Sequence, residues 1–352
     1  MAEMIRVPAE ECRSLCVQAF ERNGVPPENA ARAAEQFILC DLLGIPTHGV
    51  LRLSHYIGRI QVGGVDPKGK ITVDKKTPAL AIIDGGNTVG TAVATRATEV
   101  AIEMAREAGV AFLSVKNSNH FGANASFGWL ASNEGMILIS GTNGSLTMAA
   151  TGGKATVVGN NPIGYAAPRK NGKHFILDFA LSVQSRGKIR RAAELGEPIP
   201  EGWGLDPDGK DTTDAAAVLQ GFVLPFGGHK GYGLALAVDM LSGVLSGGSF
   251  APHVKSQFFE ADEPSGICHY FICIDPEKMI GLEAFQERLE EYCAWIGAQP
   301  AADPAIPVRV PGERAGEAYL ENLEIGLLVD AEHHKRNQGL ADGSVKGVIP
   351  KG

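Results

Sequence analysis

Positive charge is in short supply in this chain. Its 32 lysines and arginines face 40 aspartates and glutamates, a formal net charge of −8 over 352 residues. A protein this acidic repels phosphate backbones, so nucleic-acid binding would need a local basic patch. The richest stretch, Arg186-Gly-Lys188-Ile-Arg190-Arg191, has no interleaved aromatics and is followed by Glu194 and Glu197. Nucleic acid is therefore not an expected partner. Cysteine is scarce as well: six residues, with neither C-x-x-C spacing nor the density of a disulfide scaffold. Several sit at apolar positions of helix or strand patterns, where a thiol packs as a small hydrophobe. No uncharged apolar run reaches the roughly 18 residues that a spanning helix needs. Met1 to Arg6 also lacks the charged-then-apolar run of a signal peptide. Together these absences lead us to expect a cytoplasmic protein with reduced thiols and no membrane contact.

What the chain has in excess is glycine, 44 residues of 352, against a usual share of about 7%. There is no G-X-Y period, so collagen is excluded. A hydrophobic fraction of 44% with 20% charged residues excludes disorder and supports a large buried core. The glycines must then serve tight turns and close backbone approaches inside a folded chain.

Periodicity divides the chain into three parts. Cys12, Leu15, Cys16, Ala19 and Phe20 recur at helical spacing, and Gly24 supplies a stop. A second helix opens at Pro26-Pro27-Glu28 and runs to Leu43; a third is expected over 49–60. Residues 1–70 thus read as an all-helical block. From 71 to 310, strands and helices alternate. Ile71–Val73 and Ala79–Asp84 read as paired strands joined by a charged turn, 74–76. Helices are expected over 90–108, 122–132, 234–245 and 282–295, and strands over 110–115, 136–140, 175–178 and 270–274. This alternation argues for an α/β sheet. Residues 311–352 form a C-terminal segment whose tail, after Gly339, reads as polar and loosely ordered.

Neither G-x-G-x-x-G nor G-x-x-x-x-G-K-[ST] occurs, so a standard dinucleotide fold is unsupported. Gly227-Gly-His-Lys-Gly-Tyr-Gly233 opens instead into an apolar helix from Leu234. Free N–H groups at a helix start, with Lys230 beside them, suit a phosphate; a glycine turn with a solvent-facing lysine is the plainer alternative. His48 and Arg52, in Thr47-His-Gly-Val-Leu-Arg52, are four apart and share a helix face. A histidine moves protons near neutral pH and an arginine fork grips carboxylates, so the pair could hold and protonate a 2-oxo acid. It could equally be an ordinary surface pair. Asn117-Ser-Asn-His120-Phe-Gly122 lies between a buried strand and a helix, where α/β proteins expose functional side chains. Asp178 ends a strand, able to orient a histidine, bind a ribose hydroxyl or cap a helix. A zinc site drawn from His48, His120, His229 and Asp178 has no supporting ligand spacing, and no metal is expected.

Taken in order, these motifs form a pattern. Thr-His-Gly-Val-Leu-Arg (47–52), Ser-Asn-His-Phe-Gly (118–122), Asn-Pro (161–162) and Asp-Phe-Ala-Leu-Ser (178–182) are its first part. Arg-Gly-Lys (186–188), Leu-Pro-Phe-Gly-Gly-His-Lys-Gly-Tyr-Gly-Leu (224–234) and Pro-Gly-Glu-Arg (311–314) complete it. The set resembles the type-2 malate/L-lactate dehydrogenase family over about residues 5 to 340. The resemblance implies a non-Rossmann α/β fold binding NAD or NADP, a mixed sheet flanked by helices, with the helical N-terminal block on the substrate side. It implies His120 and His48 as candidates for proton transfer at the substrate oxygen, Arg52 as a carboxylate clamp, and Thr47 beside it. Asp178, Phe179, Ala180 and Ser182 would line the cofactor site, with Asn161 and Gly144 nearby. Gly228, His229 and Lys230, with Gly312, Glu313 and Arg314, would contact the dinucleotide as the C-terminal segment returns to it.

A homodimer with active sites near its interface is also implied, as is a small carboxylic acid substrate. The expected reaction is hydride transfer between a nicotinamide and a small 2-hydroxy or 2-oxo acid. NADPH-dependent reduction of a cyclic imine carboxylate is the rival within that class; an inactive nucleotide-binding module is the rival outside it. Three positions depart from the family's habit: Thr47 where serine is frequent, Asn160 where threonine usually precedes Asn-Pro, and Leu181 where threonine is common.

Overall fold

The computed structural model describes residues 3–350. It opens with a strand, β1 (Met4–Val7), before α1 (Ala9–Arg22) and α2 (Pro27–Leu42). Proline suits the start of α2 because the first helical N–H groups have no intrahelical partner to lose. Two 3₁₀ turns, Pro46–His48 and Val50–Arg52, lead into α3 (Leu53–Gln61). The helix expected from residue 49 therefore starts later, because Gly49 is extended and separates the two turns. Cys12, Cys16, Phe20, Phe37, Leu53 and Ile57 pack the three helices into one core.

A mixed sheet follows. β2 (Thr72–Thr77) and β3 (Leu80–Asp84) form a hairpin, α4 (Gly90–Ala108) crosses over, and β4 (Val110–Ser118) lies parallel to β3. Asp74, Lys75 and Lys76, expected as a turn, instead extend β2; the turn is Pro78-Ala79. β2 is an edge strand, where charged side chains can face water and discourage edge pairing. Next come α5 (Asn124–Asn133), β5 (Ile137–Thr142), β6 (Met148–Ala149), β7 (Thr156–Val158), β8 (Ile163–Ala167) and β9 (Phe175–Phe179). α6 (Arg186–Leu195), β10 (Gly204–Leu205), α7 (Ala215–Gln220) and β11 (Phe222–Val223) gather around Ile189 and Val218. α8 (His229–Asp239) begins ahead of the expected Leu234, directly after the Gly227-Gly228 turn, and passes into a π turn at Met240–Val244. β12 (Ile267–Ile274), α9 (Leu282–Gly297), α10 (Glu313–Ile325), β13 (Leu327–Asp330) and α11 (Ala331–Asp342) complete the chain.

The main sheet runs β2-β3-β4-β12-β5-β8-β9. β12 inserts antiparallel between β4 and β5, leaving β3 and β4 as its parallel pair. That insertion turns a strand–helix–strand sequence into a mixed sheet rather than a parallel Rossmann one. Its near-continuous apolar run, Ile267 to Ile274, fits a strand covered on both faces. Val93, Ala97, Val100 and Met104 of α4, with Phe127 of α5, cover one face; Ala235 and Val238 of α8 cover the other. Truncating Phe127 to alanine should cost about 3–5 kcal/mol. The fold is α/β, a mixed sheet flanked by helices, as expected.

The C-terminus is better ordered than its composition suggests. β13 pairs antiparallel with β1, and Gly339 lies inside α11. Beyond Asp342 the chain returns to α3, where Val348 N–H donates to Ser54 O at 3.0 Å and Gly347 N–H to Gln61 Oε1 at 3.0 Å.

Candidate active site

Two 3₁₀ turns carry the first group of side chains. His48 closes one turn and Arg52 the next, so both reach the same cavity without sharing an α-helix face. Arg52 Nε donates to Thr47 O at 2.8 Å, which folds the loop back on itself. Thr47 Oγ1 lies 3.0 Å from His48 Nδ1. Among the described residues no carboxylate pairs with Arg52, and burial lowers its pKa. Its charge stands ready for an anion from outside the chain.

His120 comes from the loop after β4. The loop is held by Phe121, which stacks on His269 at 4.4 Å, and by Asn119, whose amide donates to Thr88 O at 2.9 Å. The His48 and His120 rings stack 5.7 Å apart, 18° from parallel. Tyr56, buried in α3, places its Oη 2.6 Å from His120 Nδ1 and donates to the His120 carbonyl at 2.9 Å. A phenol has one proton, so giving it to the carbonyl leaves Oη as acceptor for Nδ1–H. The neutral His120 ring then keeps Nε2 free as a base. Burial, then Arg52, pushes His48 down to about 4. Burial, then His48 and Arg52, holds His120 well below the usual histidine range. A carboxylate on Arg52 would cancel part of that repulsion and ease protonation of both rings.

The opposite wall is built around β9. Asp178 Oδ2 accepts from Ala125 N–H at 2.9 Å and Oδ1 from Asn124 Nδ2 at 3.2 Å, so it caps α5 from the neighbouring strand. Burial outweighs these bonds and holds its carboxyl above the ordinary value. Phe179, Ala180 and Ser182 line the cavity beside it, as does Gly144. Asn161 is fully buried behind them, its Oδ1 accepting from Gly144 N–H at 3.1 Å.

The remaining sequence candidates do not line the cavity. Phe226 N–H donates to Leu181 O at 2.8 Å, setting the exposed Gly228, His229 and Lys230 just beyond the extension of β9. Gly312 lies at the strand's other end with φ +96°, where an added Cβ would meet His174 O at 2.3 Å. Glu313 turns back on its own loop, accepting from Val310 N–H at 3.1 Å, and Arg314 is exposed.

These walls enclose a cavity of about 1450 Å³, larger than the ~300–1,000 Å³ of a drug-sized pocket. It has room for a dinucleotide and a small acid together. Thr147 lines it with a buried hydroxyl that has no partner among the described residues. Arg186, Lys188, Arg190 and Arg191 of α6 line it too, so the basic stretch faces the cavity, where it suits phosphate groups. No group of three or more His, Cys, Asp or Glu among the described residues could hold a metal ion.

Residues 7–336 match the family model described as malate/L-lactate dehydrogenase. The chain belongs to the malate/L-lactate dehydrogenase family. It is 41% identical over 331 residues to a malate dehydrogenase of Pyrococcus abyssi, covering 92% of this chain and 90% of the relative. The solved sulfolactate dehydrogenase of Methanocaldococcus jannaschii superposes with a TM-score of 0.88 at 35% identity, covering 97% of this chain and 98% of that one. The delta1-piperideine-2-carboxylate reductase of Pseudomonas syringae superposes with a TM-score of 0.87 at 28% identity, covering 96% and 99%. Other relatives carry NAD(+) or NADP(+) in their names. The protein is an oxidoreductase of this family.

Three features of this dehydrogenase-family site escaped the motifs. Tyr56 could have been found, standing four residues after Arg52 and eight after His48. The loop 255–259 could not: Gln257 reaches His55 at 2.9 Å and Phe258 stacks on the same ring at 5.1 Å, with no local signature. Arg59 is the third, a buried cation whose Nη1 donates to Ser265 Oγ at 2.6 Å and whose Nη2 donates to Glu263 O at 2.6 Å, tying the segment that follows that loop to α3.

Proposed function

We propose that the protein is an NAD(P)-dependent dehydrogenase acting on a small 2-hydroxy or 2-oxo carboxylic acid. The observation that carries this is one cavity holding Arg52, without a carboxylate partner among the described residues, beside two stacked histidines that burial keeps from protonating. When bound, the nicotinamide supplies or accepts a hydride at the substrate carbon. Arg52 grips the substrate carboxylate through its guanidinium fork, with Thr47 beside it. His120 takes the hydroxyl proton on Nε2 during oxidation and returns it to the carbonyl oxygen during reduction, while Tyr56 holds its Nδ1. His48, stacked on it, closes the pocket and is the second candidate for that proton. Asp178 fixes the start of α5, and the backbone from Phe179 to Ser182, with Gly144 and Asn161, supports the cofactor. Gly228, His229, Lys230, Gly312, Glu313 and Arg314 form the outer part of that support.

A second reading has an observation of its own. Both histidines are held neutral, which suits a cyclic iminium carboxylate that already carries its proton. A panel of oxaloacetate, 3-sulfopyruvate, pyruvate and Δ1-piperideine-2-carboxylate, run with NADH and with NADPH, separates the two. Turnover of one or more 2-oxo acids above the imine supports the first reading, and turnover of the imine alone overturns it.

The protein works as a homodimer in this reading, to which residues 1–70 contribute contacts. Exposed Leu234, Met240, Val244 and Leu245 on α8 and its π turn offer a second copy an apolar surface. Six free, buried cysteines fit a reducing, cytoplasmic setting. Among the described residues no helix is long and apolar enough to cross a membrane.

A further inference from the structure

Beneath the loop that carries His48 and Arg52 lies a buried acid the reaction does not use. Asp41, 7% exposed near the end of α2, accepts Val50 N–H on Oδ2 at 2.8 Å. Gly49 sits so close above it that an added Cβ would lie 2.0 Å from Asp41 Oδ1 and 2.3 Å from Oδ2. The carboxyl therefore meets the chain at the point where the two 3₁₀ turns join. Both flanks are pinned as well: Asn322 Nδ2 donates to Asp41 O at 3.1 Å, and Asn337 Nδ2 donates to Val50 O at 3.2 Å. Burial raises the carboxyl, its single backbone donor lowers it, and the balance sits at about 7. Among the described residues no cation compensates it. An apolar side chain would fill this space without that penalty, so the acid must be held for what it does to the loop.

We propose that Asp41 is the positioning residue of the substrate loop, and that Gly49 is glycine because the carboxyl occupies the space of its side chain. The pair sets the two turns at one angle, so that His48 and Arg52 reach the same cavity. This rests on the reading of Arg52 as the carboxylate clamp. Asp41 itself touches neither substrate nor cofactor.

The test uses the full chain, the fastest-reacting acid of the panel above, and oxamate as an unreactive 2-oxo acid analogue. Asp41→Ala should raise KM and the oxamate Kd about tenfold or more while NADH affinity, read by fluorescence titration, stays unchanged. Asp41→Asn keeps an acceptor oxygen and should recover most of that loss. Gly49→Ala, whose φ of −86° any residue can adopt, should reproduce the defect through the collision alone. In the double variant the collision is gone, so the two changes should fall short of additive. A folded Asp41→Ala protein with unchanged KM and oxamate Kd overturns the proposal. So does strict additivity of Asp41→Ala and Gly49→Ala. If Asp41→Ala does not fold, Gly49→Ala and Asp41→Asn decide in the same way. Wild-type protein that turns over no acid of the panel would count against the proposed function instead.

Discussion

The two walls of the cavity are built by different means. On the wall proposed for the substrate, side chains meet: His48, Arg52 and His120, with Tyr56 bonded to His120, depressed histidines, and a cation that no carboxylate pairs among the described residues. On the wall proposed for the cofactor, Phe179, Ala180, Ser182 and Gly144 bring no charged side chain to the cavity, Asp178 caps α5, and α6 adds its basic residues. Proton transfer needs a titratable group at a fixed point, whereas a long polar ligand can be held by N–H and C=O groups along its length. The difference teaches where variation should hurt. Substrate-wall changes should damage chemistry or affinity for the acid, and cofactor-wall changes should dilute affinity for the cofactor.

The largest expected effect is His120→Ala, which removes the general acid–base group and should lower kcat by about 10²–10⁴-fold, or ~3–5 kcal/mol of barrier. Steady-state rates on matched preparations check this, and near-full turnover would take His120 out of the chemistry. Acid should come next. His55 and His269 are buried, and burial pushes them down to about 4 and about 3. The unfolded chain therefore binds their protons first, and stability is lost as pH falls from about 6.5 towards 4. The loss is about 1.4 kcal/mol per pH unit for each ring. Asp41 has the opposite sign: its raised pKa adds stability as pH falls through 7. Denaturant unfolding across that range should show a net acid loss that steepens in Asp41→Asn. A flat profile would mean that His55 and His269 are not held as buried neutral rings.

A smaller effect is expected for Arg52→Lys, which keeps the charge but loses the fork. KM for the acid should rise about tenfold, ~1.4 kcal/mol, with cofactor affinity unchanged. An unmoved KM removes the clamp. Smallest is Arg190→Ala on α6, which should weaken NAD(P)H binding by a few-fold at low salt and hardly at all at high salt. Salt-independent weakening would take α6 out of phosphate recognition.

The side chains that meet on the proposed substrate wall were legible because they stand close together in sequence. Thr47-His48 and Arg52, and Ser118 to Gly122, are visible as motifs even though the loop is two 3₁₀ turns rather than the expected helix. Tyr56 was legible in principle by spacing. The loop at 255–259 was not, because it joins the site through His55, about two hundred residues away in sequence. On the wall proposed for the cofactor, glycine count hinted at backbone approach, and the family resemblance supplied positions such as Gly144. The α/β class was readable from alternation, yet the place of β12 between β4 and β5 was not, since pairing across more than a hundred residues leaves no local trace. The charged run at 74–76 misled for the opposite reason: it looks like a turn and is an edge strand in water.

The separation of the two walls is most directly tested by the affinity of His120→Ala for NADH and NADPH, titrated by fluorescence beside the wild type. Binding within about twofold of wild type, alongside the lost turnover, is the predicted result. A tenfold or greater loss of cofactor affinity would contradict it, and would make the two walls one.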